Sequence, residues 1–252
     1  MGKTKNIQSV ERAFAILELF GETNSMMSVK EISAALQLSK STVFGLINTL
    51  YNLGYLRQDS ETLKYNLGPK VLALGSAVSQ NDIIAKTSHK FMQEISDKFQ
   101  ETCLCVIEEN GYVVYIDKTE STSSITLKTR IGTKKELYCT GVGKVYLAYM
   151  PEEKRKKILS KPMEKKTENT ITDIDLLESE LENVKKQGFA FDDEEFETGI
   201  CCLAVPVFGR DENVISSISL TGPIFRIKKL DFNILVESLK DAAGNISKNL
   251  ML

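Results

Sequence analysis

One histidine stands in 252 residues, and that scarcity removes whole reaction classes. A Ser-His-Asp or Cys-His catalyst would have to use His89. That residue lies in a helical-looking stretch, residues 83–99, with no nucleophile motif beside it, and reads as an ordinary helix residue. Histidine-rich zinc sites are excluded for the same reason. No stretch approaches ~18 consecutive apolar residues, so no transmembrane helix is expected. The start, Met1-Gly2-Lys3-Thr4-Lys5-Asn6, has no apolar core and does not read as a signal peptide. Asn6 also stands where a myristoylation signal wants Ser or Thr. The five cysteines, Cys103, Cys105, Cys139, Cys201 and Cys202, are odd in number and form no Cys-x-x-Cys. Reduced thiols in a cytoplasmic protein fit them best.

What is present is the composition of an ordinary globular chain, 42% hydrophobic and 26% charged. The length suits one large domain or two small ones. The formal net charge is −2, but residues 1–78 hold eight basic and six acidic side chains. A charge count therefore does not announce nucleic-acid binding. If DNA is bound, the basic groups must be well placed rather than numerous.

The N-terminal third reads as a winged helix-turn-helix. A first helix is expected over residues 9–20, with Ser9 as N-cap and Val10, Ala13, Phe14 and Leu17 on one buried face. Residues 21–25 read as a loop. Ser28-Val29-Lys30-Glu31 forms a capping box that opens a short helix carrying Ile32, Ala35 and Leu36 on one side. Gln37-Leu38 makes the turn, and Ser39 caps a third helix over residues 40–52 with Val43, Leu46, Ile47 and Leu50 inward. Two short runs, Gly54-Tyr55-Leu56-Arg57 and Leu63-Lys64-Tyr65-Asn66-Leu67-Gly68, flank a polar turn and give the wing. Capped helices alone are common. The full order within about 60 residues is far more specific to DNA binding. Ser39, Lys40, Ser41 and Thr42 at a helix start suit phosphate contact, and Arg57 and Lys64 would reach phosphates from the wing.

Ser9-Val10-Glu11-Arg12-Ala13, Lys40-Ser41-Thr42-Val43, Leu53-Gly54-Tyr55-Leu56 and Tyr65-Asn66-Leu67-Gly68 resemble the IclR family of bacterial transcription regulators. The resemblance runs through nearly the whole chain. Members of that family usually carry His or Tyr followed by Arg in the recognition helix, where this chain has Phe44-Gly45. Base readout is then expected from Ser41, Thr42 and Asn48, with Phe44 offering bulk to a thymine methyl.

Pro69 opens a further helix whose Val71, Leu72, Leu74 and Val78 are too apolar for a free linker. It packs on the wing or pairs two copies; the resemblance favours a linker helix that pairs DNA-binding domains. Strands are expected over residues 102–107 and 112–116, joined by Asn110-Gly111, a strong hairpin signal. Further strands are expected at 125–128, 200–208 and 214–220. A capped helix is expected at 175–187, with Leu177, Leu181 and Val184 inward and Gly188 as its stop. Ile234, Leu235, Leu239, Ala242 and Ile246 mark a last helix. This is an α+β domain with an antiparallel sheet, and the resemblance implies a GAF-like sensor. The expected division is 7–68 for DNA binding, 69–80 for the linker helix, and 81–252 for effector binding and oligomerisation.

Three segments could build a pocket. Tyr138-Cys139-Thr140-Gly141-Val142-Gly143-Lys144 precedes helical Val145-Tyr146-Leu147-Ala148, and amides there could cradle an anion. It is not a P-loop, since Tyr138 stands five residues before Gly143 and Val145 follows the lysine. Asp192-Asp193-Glu194-Glu195 runs on to Cys201-Cys202, and Ser219-Leu220-Thr221-Gly222-Pro223 puts two hydroxyls on one strand face. Each alone has a bland reading: a turn, a solvated face, a strand. Together they match, in order and spacing, the places where the IclR-type domain holds its ligand contacts. By that resemblance Gly141 and Val142 are amide donors, Asp192 and Cys202 polar wall, and Ser219 and Thr221 hydroxyl contacts. The family often has Ser where Thr221 stands, and Ala-Pro where this chain has Val205-Pro206.

The expected protein is a ligand-responsive regulator without catalytic residues, cofactor or metal. Its partners would be a double-stranded DNA operator and a small organic or sugar acid, with a dimer or dimer of dimers and no membrane. The alternative is a redox or metal sensor using Cys103, Cys105, Cys201 and Cys202. An enzyme built on the residue 141–144 loop lacks a base or nucleophile.

Overall fold

The computed structural model describes residues 6–23, 25–81, 83–120 and 129–251. The chain divides into two compact units, Met1–Asn81 and Asp82–Leu252.

The first unit is a three-helix head with a small hairpin. Its helices are α1 (Gln8–Thr23), α2 (Val29–Leu36) and α3 (Lys40–Asn52), followed by strands β1 (Leu56–Gln58) and β2 (Tyr65–Leu67) and helix α4 (Pro69–Asn81). The capping box at α2 is complete. Ser28 accepts from the Glu31 amide, and the Glu31 carboxylate accepts from the Ser28 amide at 2.7 Å. Ser39 caps α3 by accepting from the Thr42 amide. Ile16, Phe20, Ile32, Val43, Ile47, Leu50, Leu56 and Tyr65 form one core. The hairpin pairs Leu56 with Leu67 and Gln58 with Tyr65, and Met27 bridges to Tyr65.

Several expectations for this unit need correction. Helix α1 begins before Ser9, which sits inside its first turn rather than capping it, and it continues through Thr23 where a loop was expected. Its inward stripe is Ala13, Ile16, Leu17 and Phe20, while Val10 and Phe14 are 49% and 59% exposed. At 100° per residue, Val10 and Ile16 lie ~120° apart around the helix, so two apolar stripes compete and only one meets the core. Ala35 is exposed as well.

The second unit opens with helix α5 (Ile83–Phe99) and the hairpin of β3 (Thr102–Glu109) and β4 (Tyr112–Thr119). Asn110 and Gly111 take φ of 55° and 86° between them, the left-handed pair that a tight hairpin turn requires. Then come β5 (Lys134–Glu136), α6 (Gly141–Tyr149), α7 (Glu152–Leu159), α8 (Ile174–Gln187), β6 (Ala190–Asp193), β7 (Ile200–Phe208), β8 (Val214–Pro223), α9 (Ile224–Ile227) and α10 (Phe232–Met251). The six strands form one antiparallel sheet in the order β5-β4-β3-β8-β7-β6. The expected strand at 125–128 lies outside the described residues. Strands β5 and β6 and helix α7 were not expected.

Strand alternation sorts the apolar residues into two layers. Cys103, Cys105, Cys201, Leu203, Ile218 and Leu220 pack with Met92 and Ile95 of α5 and Leu239 and Ile246 of α10. Leu104, Val106, Cys202 and Ala204 face the other way, onto Val142, Val145 and Leu147 of α6 and Leu177 and Leu181 of α8. Ile234, expected inward on α10, is exposed; Leu235 and Val236 take its place in the core. Asp173 caps α8 and Gly188 ends it in the left-handed conformation. The domain is α+β, helices on both faces of an antiparallel sheet.

Candidate functional site

Two surfaces gather the chemistry, one in each unit. In the first, α3 turns Val43, Ile47 and Leu50 inward and leaves Lys40, Ser41, Phe44 and Asn48 exposed. Ser39 Oγ lies 2.9 Å from both Ser41 Oγ and Thr42 Oγ1, so the hydroxyls cluster at the helix start. Arg57 is exposed on β1. Lys64 is already engaged, its Nζ 3.0 Å from Glu31 Oε1. Glu31 therefore serves both its helix cap and the wing. Its carboxyl is held down at about 2, first by the Ser28 amide and next by Lys64. An ammonium has three donors, so Lys64 can hold Glu31 and still present N–H to a phosphate.

In the second unit a cavity of about 530 Å³ opens between the sheet and the start of α6. Its wall brings together Val142, Asp192, Cys202, Ser219 and Thr221, residues spread over 80 positions of chain. Ser219 and Thr221 hydroxyls lie 3.4 Å apart on β8. Thr140 caps α6 by accepting from the Gly143 amide at 3.2 Å. The helix starts at Gly141, four residues before the expected Val145, which leaves the Gly141 and Val142 amides in its unsatisfied first turn. Gly141 itself is not a wall residue. A Cβ there would stand 3.2 Å from the Cys202 carbonyl and 3.3 Å from its sulfur, so this glycine lets α6 lie against β7. Gly143 is stricter still, since its Cβ would fall 2.2 Å from the Leu137 carbonyl.

Behind the wall sits a buried charge network. Lys144, 1% exposed, donates to Glu195 Oε1 at 2.5 Å, the Phe191 carbonyl at 2.7 Å and Glu180 Oε1 at 3.3 Å. Glu195 in turn donates its amide to Asp192 Oδ1 at 2.7 Å. Asp192 is 4% exposed, and burial, with the Glu195 charge second, pushes its carboxyl up to about 7. Glu195 is also raised, chiefly by burial, while Lys144 opposes the rise. An acidic run that reads as a solvated face is thus folded inward around a lysine.

Other wall residues had no signal in the sequence. Tyr115 comes from β4, and Lys135 on β5 sets its ammonium 4.0 Å from the Phe196 ring centroid. Arg226 on α9 pairs in fork fashion with buried Glu101, 125 positions away. Only Thr140 was findable, as a capping hydroxyl ahead of Gly-x-Gly.

Both units have counterparts among known proteins. The family model described as the bacterial transcriptional regulator IclR C-terminal domain matches residues 75–248, and the IclR helix-turn-helix domain matches residues 9–60. The chain belongs to the IclR family. Among curated IclR-type relatives, the HTH-type transcriptional regulator KdgR of Escherichia coli K12 is 35% identical over 246 residues, covering 97% of this chain and 93% of the relative. XynR of the same organism is 33% identical over 245 residues, covering 97% of each. The solved Thermotoga maritima IclR superposes with a TM-score of 0.83 at 31% identity, over 98% of this chain and all of that one. This IclR-family chain is a ligand-responsive DNA-binding transcriptional regulator, and its relatives are regulators rather than enzymes.

Nothing in the thiols supports the redox or metal alternative. All five cysteines are buried. Burial raises the thiol of Cys139 to about 12, Cys201 to about 12 and Cys202 to about 11, so none is a ready thiolate. Cys103 and Cys105 face the α5 and α10 layer, and Cys202 faces the cavity. Among the described residues no cluster of metal-ligating side chains occurs, and no helix is long and apolar enough to cross a membrane.

Proposed function

We propose that this regulator binds a double-stranded operator with α3 and the wing, and senses a small organic or sugar acid in the α6 cavity. Ser39, Lys40, Ser41, Thr42, Phe44 and Asn48 meet DNA in the major groove, with Arg57 and Lys64 on flanking phosphates. The effector carboxylate sits on the Gly141 and Val142 amides, where the helix dipole favours negative charge. Asp192, Cys202, Ser219 and Thr221 bond the rest of the ligand. That division favours a hydroxy or keto acid over a plain fatty acid. The observation that carries this reading is the cavity itself, a partly open space whose wall holds the hydroxyls of Ser219 and Thr221, the Asp192 carboxyl and Val142 in the first turn of α6.

The assembly is a dimer or a dimer of dimers in the cytoplasm, and α4 is the linker helix at residues 69–80 that pairs two DNA-binding units. Support comes from apolar side chains the first unit leaves in water: Leu72 and Leu74 on α4, and Ile7, Val10 and Phe14 by α1. A two-fold dimer would bind an inverted repeat with half-sites one helical turn, or a multiple, apart.

The test is thermal-shift screening with hydroxy, keto and sugar acids, because a ligand that prefers the folded state raises the midpoint. A hit should bind Ser219→Ala and Thr221→Val about five-fold more weakly each, the worth of one neutral hydrogen bond. Both variants should keep ligand-free DNA binding. A hit with unaltered affinity in both variants would remove these hydroxyls from the site.

A further inference from the structure

The outward face of α3 has an unusual inventory for a helix that reads bases. Phe44 is 54% exposed on it, although burial of such a ring is favourable. The hydroxyls around it already hold local bonds: Ser41 pairs with Ser39, and Thr49 donates to the Gly45 carbonyl at 2.9 Å. The Asn48 side-chain amide has no hydrogen bond among the described residues. Lys40 is the cation of the helix, and it sits in the first turn, not at the centre. Gly45 meets nothing within 4 Å of an added Cβ, so packing does not demand a glycine there. It leaves bare backbone between Phe44 and Asn48, where a groove wall can come close.

Major-groove chemistry converts that inventory into a base preference. Guanine is read by Arg or Lys against O6 and N7, and the centre of this face has neither. Adenine is read by Asn against N6 and N7, and thymine presents a C5-methyl that takes apolar contact. Phe44 and Asn48 are four apart, so they neighbour each other on the helix surface. Their ~6 Å separation along the axis spans about two base-pair steps.

We propose that the recognition helix reads A·T base pairs, Phe44 by contact with a thymine methyl and Asn48 by bonding adenine. This rests on the reading that α3 enters the major groove. Both contacts fall on A·T or T·A pairs, so the centre of each half-site is A·T and its recognition depends on the methyl group.

The experiment starts with full-length protein and a random double-stranded DNA library. In the selected oligonucleotide each thymine of both half-sites is then replaced by uracil, which removes the methyl alone. Wild type should lose about four-fold in affinity per methyl at one position of each half-site, or about fifteen-fold for the pair, the size expected from one buried carbon. Phe44→Ala should bind the thymine operator as weakly as wild type binds the uracil one, and should not distinguish the two. Because Phe44 is exposed, that variant should melt with wild type. Equal binding of thymine and uracil operators by wild type at every position overturns the proposal, as does discrimination that survives Phe44→Ala, or a guanine-centred half-site. In those cases α3 still docks, provided Lys40→Ala weakens binding. Failure to select any sequence refutes the docking of α3 and this proposal with it.

Discussion

Asp192 makes the stability of the second unit depend on pH in a direction opposite to that of a salt-bridged carboxylate. Its carboxyl stands at about 7, against an ordinary 3.8, because it is buried and faces Glu195. Between those values the unfolded chain has lost the proton and the folded chain keeps it. The folded state therefore binds more protons, and stability falls as pH rises from about 4 to about 7 and is flat beyond. A rise from 3.8 to about 7 sets an upper bound of about 4 kcal/mol. Asp192→Asn keeps an acceptor for the Glu195 amide and removes the buried charge. It should stabilise the ligand-free protein by roughly 1–3 kcal/mol at pH 8 and by about nothing at pH 4, within that bound. Urea unfolding of both proteins at each pH measures it, and taking the difference cancels most of what Glu195 contributes. A destabilised variant at pH 8, or a difference that ignores pH, refutes the reasoning. The same proton sorts ligand poses. A carboxylate facing Asp192 binds more tightly as pH falls, whereas a ligand hydroxyl donating to the ionised form binds more tightly as pH rises.

Lys40→Ala and Arg57→Ala should weaken binding to every DNA sequence and reduce the slope of log affinity on log salt by about one per contact; an unchanged slope in either removes that residue from the phosphates. Lys135, a cavity-wall cation with no carboxylate partner among the described residues, should matter for anionic ligands. Lys135→Gln should lower affinity for an acid hit about two- to five-fold, on the scale of an exposed charge contact, and leave its uncharged amide analogue unaffected, as titration calorimetry would show. Gly143→Ala puts a methyl 2.2 Å from the Leu137 carbonyl and should cost more than about 3 kcal/mol as overpacking. Gly45→Ala, with open space around it, should instead gain about 0.5–1 kcal/mol. Chemical denaturation of the two variants side by side checks both signs.

Local chemistry was legible wherever a short signal had one reading. Ser28 with Glu31, Ser39, Asn110-Gly111 and Gly188 each name a cap or a turn, and each stands where expected. The wall formed by Val142, Asp192, Cys202, Ser219 and Thr221 was legible because its segments keep a family spacing, although they meet only in the folded chain. Signals with two readings failed. On α1 both apolar stripes satisfy helical periodicity, and nothing in the residues says which meets a partner. Helix α7 carries a charged run with only Ile158 and Leu159 to mark a face. Strands β5 and β6 are three and four residues long, too short for alternation to register. Lys144 inside the acidic loop and Glu101 on Arg226 are pairings across 51 and 125 positions, and local pattern carries no trace of such distances.

Strand β8 is shared by the cavity and the core behind it. Ser219 and Thr221 look into the cavity, while Ile218 and Leu220 sit in the layer beneath α5 and α10. Alternating side chains on one backbone cannot shift independently. A ligand that draws the two hydroxyls toward itself also displaces the floor on which those helices rest, and a close-packed floor answers by re-seating rather than by yielding smoothly. Occupancy of a polar chamber on one face of the sheet would in this way be written into the seating of helices on the other, with no side chain crossing between them.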